Sequence, residues 1–240
     1  MQQILAFSRH SNVEREPTDL RRVVRDVREL LASSMPSSTH LDVSARDERL
    51  VAEANVGQVT QILLNLCINA NDALAGRPGR ISIGLTDVQP GDADYASFHG
   101  DVATSGDSPQ GARASWGSLN PDRPYARISV ADSGPGMNAE LLTRIFDPFF
   151  TTKAPGRGTG LGLSVVHGIV LSYDGAGLAV SRPGIGTTFT IYLPLVDAEP
   201  RKAASPQPMR NGTGNILLID DDRTWPMPRR SRSSASAIRS

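Results

Sequence analysis

The stretch Asp132-Ser133-Gly134-Pro135-Gly136-Met137, together with Gly158-Thr159-Gly160-Leu161-Gly162-Leu163 further along, decides the fold of this chain. In the first stretch an acidic side chain stands at the end of a strand pattern, and the glycines permit close backbone approach or a positive φ. In the second, the glycines lead into a helix whose N-terminal N–H groups suit anionic phosphates. It is not a Walker A loop, because no Lys-Ser/Thr follows the glycines. It is not a dinucleotide fingerprint either, because no strand directly precedes it.

Two further motifs accompany these stretches. Phe146-Asp147-Pro148-Phe149-Phe150-Thr151-Thr152-Lys153 lies between them, and Asn65-Leu66-Cys67-Ile68-Asn69-Ala70 lies upstream. An apolar stripe at helical spacing predicts the strongest helix of the chain over residues 58–74. Asn65, Asn69 and Asp72, spaced by four and three, form a polar stripe beside it. The helix therefore presents two amides and a carboxylate on one face.

In order and spacing, these four motifs resemble the N, G1, F and G2 boxes of the ATP-binding domain of sensor histidine kinases. The resemblance covers roughly residues 18–194 and implies the Bergerat fold that other GHKL ATPases share. The implied class is α/β (an α+β two-layer sandwich), with helices covering one face of a mixed β-sheet. Strand patterns interleaved with helix patterns, some joined as hairpins, indicate the same architecture. The implied cofactors are ATP and Mg²⁺.

The resemblance also implies roles for single residues. Asn69 is the expected Mg²⁺ ligand through the ATP phosphates, with Asn65 as its neighbour, since Mg²⁺ prefers oxygen ligands. Asp132 is expected to accept the exocyclic amine of adenine, and Thr188 to support adenine, often through water. Lys153 is expected to reach the terminal phosphates, and Asn65 and Lys153 are the candidate catalytic residues. The other expected ATP-binding residues are Asp72, Gly134, Gly136, Met137, Gly158, Thr159, Gly160, Leu161, Gly162 and Leu163.

Each of these motifs also has a plain structural interpretation. The two amides could cap neighbouring backbone, Asp132 could close an ordinary strand-end turn, and Lys153 could be a solvated surface side chain. Three aromatic residues are expected to anchor the glycine-rich segment by packing rather than to touch ATP: Phe146, Phe149 and Phe150.

The residue at position 65 distinguishes relatives that hydrolyse ATP from those that transfer its phosphoryl group. Hydrolysing relatives carry Glu where this chain has Asn65, and a carboxylate there can activate water as a general base. A neutral amide cannot, whereas phosphoryl transfer depends mainly on positioning and charge neutralisation. The expected function is therefore γ-phosphoryl transfer to a histidine, followed by phosphorelay to a receiver aspartate. Two alternatives stay open: a degenerate nucleotide-binding module without transfer, and a GHKL-type ATPase.

The histidine acceptor is not found among the four histidines of the chain, which are His10, His40, His99 and His167. None lies in a helix and is followed by an acidic residue and a nearby proline, as the acceptor of this family is. The acceptor is expected upstream, on a dimerisation domain, so this chain alone is not expected to autophosphorylate. The expected partners are that domain, normally in cis, and a response-regulator receiver.

The other patterns divide the chain into segments. Residues 1–16 resemble the tail of the second dimerisation helix, and residues 17–196 are the expected ATP-binding domain. Within it, residues 89–122 lack apolar periodicity and predict a flexible insertion. Residues 197–214 have linker composition, 215–222 resemble the start of a receiver domain, and 223–240 form a basic tail without a hydrophobic pattern. This order predicts a hybrid kinase truncated at both ends.

Composition and charge limit the kinds of partner and cellular location that are expected for the chain. The formal net charge of the 240 residues is zero and 39% are hydrophobic, which suits a globular core and gives no general reason to expect nucleic acid. No apolar run approaches the ~20 residues that span a bilayer, and no signal-peptide pattern is present. The expected location is the cytoplasm, while a longer parent protein could be membrane-anchored. The single Cys67 is expected to be a buried, unreactive residue.

Overall fold

The computed structural model describes residues 14–45, 49–97, 111–153 and 158–200. Most of the predicted dimerisation remnant, the linker beyond residue 200, the receiver start at 215–222 and the basic tail lie outside these ranges. No helix within the described ranges has the length and apolar character that crossing a membrane requires.

Eight strands and five helices make up the described residues. In chain order they are β1 (Glu16–Asp19), α1 (Leu20–Ser34), β2 (Thr39–Ala45), β3 (Val51–Ala54), α2 (Val56–Leu74), β4 (Gly79–Val88), α3 (Ala93–Ser97), β5 (Ala112–Gly117), β6 (Tyr125–Asp132), α4 (Ala139–Arg144), α5 (Gly162–Ser172), β7 (Ala176–Arg182) and β8 (Gly186–Pro194).

Six of the strands form one mixed sheet in the order β2-β4-β6-β8-β7-β5. β2 and β4 are parallel, and all other neighbours in this sheet are antiparallel. β1 and β3 form a separate antiparallel pair. Helix α2 packs on α1, on α5 and on the sheet, and the apolar side chains of all three helices share one core with the inner face of the sheet. This confirms the predicted fold class.

The two long helices begin at residues whose side chains satisfy the first free N–H groups. Asp19 accepts a hydrogen bond from the backbone N–H of Arg21 at 3.0 Å and caps α1. Asn55 accepts one from Gln58 at 3.2 Å and caps α2, and both are favoured N-cap residues. The apolar stripe of α2 is buried as predicted. Its polar stripe is therefore directed away from the core.

The predicted flexible insertion from 89 to 122 is wrong for residues 112–117, which form β5 and pair with β7. The inward-facing residues of β5 belong to the main core, and Trp116 is only 5% exposed. Ala112 and Ala114 are too small to make the strand alternation evident in the sequence. The partner strand that pairs with β5 also lies far along the chain, so only tertiary structure reveals the pairing. Residues 98–110 lie outside the described ranges.

Two other residues of the described insertion, Tyr95 and Leu119, pack on the outer face of the sheet. Tyr95 of α3 joins a second apolar cluster with Val88, Tyr125, Ala176 and Tyr192. The hydroxyl of Tyr192 donates to Asp94 at 2.6 Å, and Arg127 forms an ion pair with the same carboxylate at 3.3 Å. The insertion therefore contributes structure to both faces of the sheet.

Candidate functional site

A cavity of about 560 Å³ lies between α2, the end of β6, the start of β8 and the segment that connects α4 to α5. Four motifs that are far apart in the sequence meet in its wall. The predicted site residues that line it are Asn65, Asn69, Asp72, Asp132, Gly136, Met137, Lys153, Gly158, Thr159, Gly160, Gly162 and Leu163.

Asp132 is the last residue of β6 and supplies a half-buried carboxyl group to the cavity. Burial raises the pKa of this group, and hydrogen bonds from the backbone N–H groups of Gly134 and Thr187 oppose that shift only in part. The bond from Gly134 is 2.8 Å long. Because desolvation disfavours the charged form, a ligand that donates an N–H to this carboxylate would replace the hydration that burial removes.

The turn after β6 admits only glycine at position 136. Gly136 has a φ of +66°, and a Cβ there would lie 2.1 Å from the carbonyl oxygen of Arg182. Gly184, in the β7–β8 turn, donates to the carbonyl of Pro135 at 2.7 Å and holds the two turns together. Gly134 is not among the lining residues and acts on the site through its hydrogen bond to Asp132.

The polar stripe of α2 faces the segment between α4 and α5. The amide Nδ2 of Asn65 donates to the carbonyl of Gly162 at 3.3 Å. The Nζ of Lys153 donates to Oδ1 of Asn69 at 3.3 Å and forms an ion pair with Asp72. The side chains predicted to handle phosphate and metal are therefore in direct contact with one another.

The glycines before α5 shape the other wall of the cavity. Gly160 has a φ of +66°, and a Cβ there would lie 2.4 Å from the backbone carbonyl carbon of Phe149. Leu161, the N-cap residue of α5, is not among the lining residues and makes no side-chain capping bond. The first N–H groups of a helix have no partner within the helix, so this helix start suits an anion.

The cavity is elongated along α2. A Cβ at Gly134 would lie 3.1 Å from Cβ of Ala73, whereas one at Gly162 would lie 3.7 Å from Cγ of Asn65. Positions 65 and 73 are about 12 Å apart along a helix that rises about 1.5 Å per residue. The carboxyl group of Asp132 therefore marks one end, and the amide of Asn65 and the N-terminus of α5 mark the other. Lys153 lies between these ends, in contact with Asn69 and Asp72.

Thr188, like Gly134 and Leu161, is a predicted site residue that does not line the cavity. Successive strand residues point to opposite faces, and Thr187 and Phe189 are the β8 residues that line the cavity. Thr187 lies opposite Asp132 in the pairing of β6 with β8. The structure therefore places Thr187, rather than the predicted Thr188, in the wall of the cavity, because the strand register decides which threonine faces inward.

Several apolar side chains in the lining were not predicted. Ile68 of α2 is 51% exposed although it lies on a helix with a buried apolar stripe, and this exposed isoleucine between two asparagines was the available sequence signal. Phe150 lines the cavity rather than only packing behind it, and the guanidinium of Arg144 lies 4.4 Å from its ring centroid. Other apolar lining residues are Leu141, Ile145 and Phe189.

Known proteins show similarity to this chain in both sequence and structure. It is 33% identical to the sensor kinase CckA of Brucella abortus (strain 2308) over 92% of its own length and 22% of that protein. It is 32% identical to the sensor histidine kinase ZraS of Escherichia coli (strain K12) over 80% of its own length and 34% of ZraS. The chain therefore spans about a third or less of these relatives.

Solved structures agree with the sequence comparisons. The catalytic domain of the histidine kinase ThkA is 27% identical, with a TM-score of 0.56, and the match covers 76% of this chain and 96% of that domain. A complex of ThkA with the response regulator TrrA matches at 23% identity and a TM-score of 0.54, over 81% of this chain and 46% of that one, and shows the shared fold.

The family model described as histidine kinase-, DNA gyrase B- and HSP90-like ATPase matches residues 54–197. This range contains α2, the whole cavity lining and every strand of the six-stranded sheet except β2. Since the match spans more than half of the chain, the chain belongs to the family of histidine kinase-, DNA gyrase B- and HSP90-like ATPases.

Proposed function

We propose that the cavity binds Mg·ATP and that the chain is the ATP-binding catalytic domain of a sensor histidine kinase. The observation that carries this proposal is the distribution of charged and polar groups along the cavity. The carboxylate of Asp132 stands at one end, and about 12 Å along α2 the amide of Asn65 and the N-terminus of α5 stand at the other. The ammonium group of Lys153 lies between the two ends, against Asn69 and Asp72. A ligand with a ring amine at one end and phosphates at the other satisfies both.

Adenine is the base that fits the carboxylate end. The side chain of Asp132 can only accept hydrogen bonds when it is ionised, and adenine offers an exocyclic amine. Guanine presents a carbonyl oxygen at the corresponding position, which would face the carboxylate without a proton between them. Apolar lining residues such as Ile68 and Met137 provide flat contact for the ring.

The terminal phosphates are assigned to the other end. Lys153 lies against Asn69 and Asp72 in the middle of the cavity, so its ammonium can reach and neutralise the phosphate charge. The glycines from 158 to 162 let backbone approach the phosphates closely, and the start of α5 adds a favourable dipole. Positioning and neutralisation are the main demands of phosphoryl transfer.

The residues around Lys153 also fit Mg²⁺. Oδ1 of Asn69 and the carboxylate of Asp72 both contact one ammonium group, that of Lys153, so two oxygens already converge on a cation. Mg²⁺ commonly takes one or two oxygens from protein and the rest from phosphates and water. Asn69 would hold the ion, which supplies charge neutralisation at the phosphates when bound.

We assign the phosphoryl group to a histidine of a dimerisation domain, with a receiver aspartate as the next acceptor in a hybrid kinase. Asn65 supports transfer over hydrolysis, because a neutral amide cannot take a proton from water as a general base. The sensor-kinase relatives support the same assignment. Since ATP is the proposed substrate, the proposed location is the cytoplasm.

Binding is tested by titration with a fluorescent ATP analogue. We expect saturable binding that weakens sharply in EDTA and in Asn69→Ala. The matched control is Asn71→Ala, which removes an amide from the same helix at a position that does not line the cavity. An Asn69→Ala chain that binds in Mg²⁺ as tightly as the control would contradict the metal assignment.

Transfer is tested with γ-³²P-ATP. The chain alone should acquire no acid-labile label, and a separate protein carrying the matching dimerisation hairpin should become labelled on its histidine. Steady ATP turnover by the chain alone would favour the ATPase alternative. Tight binding without any transfer to a matching hairpin would favour the degenerate nucleotide-binding module.

A further inference from the structure

Three aromatic rings meet behind the cavity, and one of them comes from the inserted strand β5. The indole of Trp116 lies 4.5 Å from the ring of Phe146 and 5.8 Å from the ring of His167, measured between ring centroids. Phe146 and His167 are 5.6 Å apart. Burial lowers the pKa of His167, so near neutral pH it stacks as an uncharged ring.

The sheet is shaped to accept this indole. Trp116 lies opposite Gly177 in the pairing of β5 with β7, and a Cβ at Gly177 would lie 2.0 Å from Cζ2 of the indole. Glycine therefore leaves the room in which the ring lies. Among the described residues, the indole Nε1 is the buried side-chain polar atom without a hydrogen-bond partner. Hydrogen bonding therefore does not explain why a tryptophan occupies this position, whereas the contacts of its ring do.

The two rings that Trp116 contacts lie on either side of most of the connection between α4 and α5. Phe146 lies near the start of the connection that carries Lys153, and His167 lies in the middle of α5, the helix that follows the connection. Inside the connection, the N–H of Phe149 donates to the carbonyl of Gly160 at 3.0 Å. One indole therefore contacts both supports of the segment that delivers Lys153 and the glycines to the cavity.

We infer that Trp116 is a positioning residue for ATP, which acts by holding both ends of the α4–α5 connection in place. This inference rests on the proposed function for its ligand, and it gives the inserted strand β5 a role in that function. Aromatic pairs contribute beyond their buried area, and Trp116 makes two of them. Loss of the indole should release the terminal-phosphate end of the cavity and leave the adenine end in place.

The test compares Trp116→Ala with Trp116→Phe. Phe keeps an aromatic ring and removes the unpartnered N–H, so it should retain function. For Trp116→Ala we expect ATP affinity to fall about tenfold and ADP affinity to fall much less, because ADP makes fewer contacts at the phosphate end. Trypsin cleavage after Lys153, measured without nucleotide, should become faster. Gly177→Ala should give the same pattern, since its Cβ displaces the indole without removing it.

The matched control is Tyr95→Ala, which removes an aromatic ring of the same insertion from the outer face of the sheet. It should change neither the ATP-to-ADP affinity ratio nor cleavage after Lys153. If Trp116→Ala fails to fold, Gly177→Ala gives the same readouts. Equal losses of ATP and ADP affinity with cleavage no faster than in the control would overturn the inference. If the unmodified chain binds no ATP, the proposed function fails, whereas the cleavage rates still decide whether Trp116 holds the connection.

Discussion

Replacing Asp132 with Asn should affect ligand binding and stability in opposite directions. Asn has nearly the same shape and keeps an acceptor oxygen for the N–H of Gly134, which now donates at 2.8 Å. The substitution replaces a carboxyl group, whose pKa is raised by burial, with an amide that carries no charge at any pH. The substitution therefore separates what the charge does for ATP from what it does to the fold.

The expected loss of affinity follows from the change of acceptor. A hydrogen bond that involves a charged group contributes about 1.5–3 kcal/mol, and one between neutral groups about 0.5–1.5 kcal/mol. The difference is about 1–2 kcal/mol, which is a loss of about 5- to 30-fold in affinity for ATP. The Asn side chain can also turn its NH₂ toward adenine, which would place the loss at the upper end.

Although Asp132→Asn should weaken ATP binding, we do not expect it to destabilise the fold. Since the folded state raises the pKa of Asp132 above its usual value, the folded state binds the proton more tightly than the unfolded chain does. The stability linked to this group is present at low pH and is lost as pH rises through the raised pKa. At pH 7 the ionised carboxylate therefore opposes folding, and Asp132→Asn should leave the free energy of unfolding unchanged or increase it.

The assay pairs two measurements on the same samples. Titration with ATP and GTP reports affinity, and urea denaturation without nucleotide reports the free energy of unfolding. We expect the preference for ATP over GTP to fall in the variant. A variant that binds ATP as the parent does, or that loses affinity only because it unfolds in less urea, would refute the role given to this carboxylate.

Three further outcomes follow from individual residues. Gly136→Ala should lower the free energy of unfolding in urea by about 2–4 kcal/mol, because Ala is strained at a φ of +66° and its Cβ meets the carbonyl of Arg182. Burial raises the pKa of the Cys67 thiol to about 12, so a disulfide reagent at pH 8 should label it only when urea unfolds the protein, since the thiolate is the nucleophile. Leu63→Ala, at a fully buried position of α2, should lower the free energy of unfolding by about 2–5 kcal/mol, and thermal denaturation followed by circular dichroism measures this loss.

Local patterns predicted much of the fold and of the site. Helical spacing of apolar residues predicted α2, and strand patterns interleaved with helix patterns predicted the mixed sheet. Both are short-range consequences of side-chain geometry. The glycine at position 136 was also predictable, because its backbone conformation is one that other residues adopt only with strain.

The errors fall where residues distant in sequence decide the outcome. β5 was missed because its partner β7 lies far along the chain, and pairing between such strands leaves little local signal. Thr188 was chosen over Thr187 because only the register of β8 against β6 shows which of them lies beside Asp132. The sequence also did not reveal that Ile68 and Phe150 line the cavity or that Trp116 contacts Phe146, because these contacts join residues that are distant in the sequence.

The sequence by itself determined the family-like order of motifs, the amphipathic helix that carries Asn65 and Asn69, and the acidic glycine turn, since each depends on neighbouring residues. Only the tertiary structure decided that these motifs enclose one elongated cavity, that Lys153 contacts Asn69 and Asp72 across it, and that an inserted strand places Trp116 behind it. Strand register and packing between distant segments set these distances. Register and packing depend on which surfaces are buried together, and no single segment of the sequence contains that information.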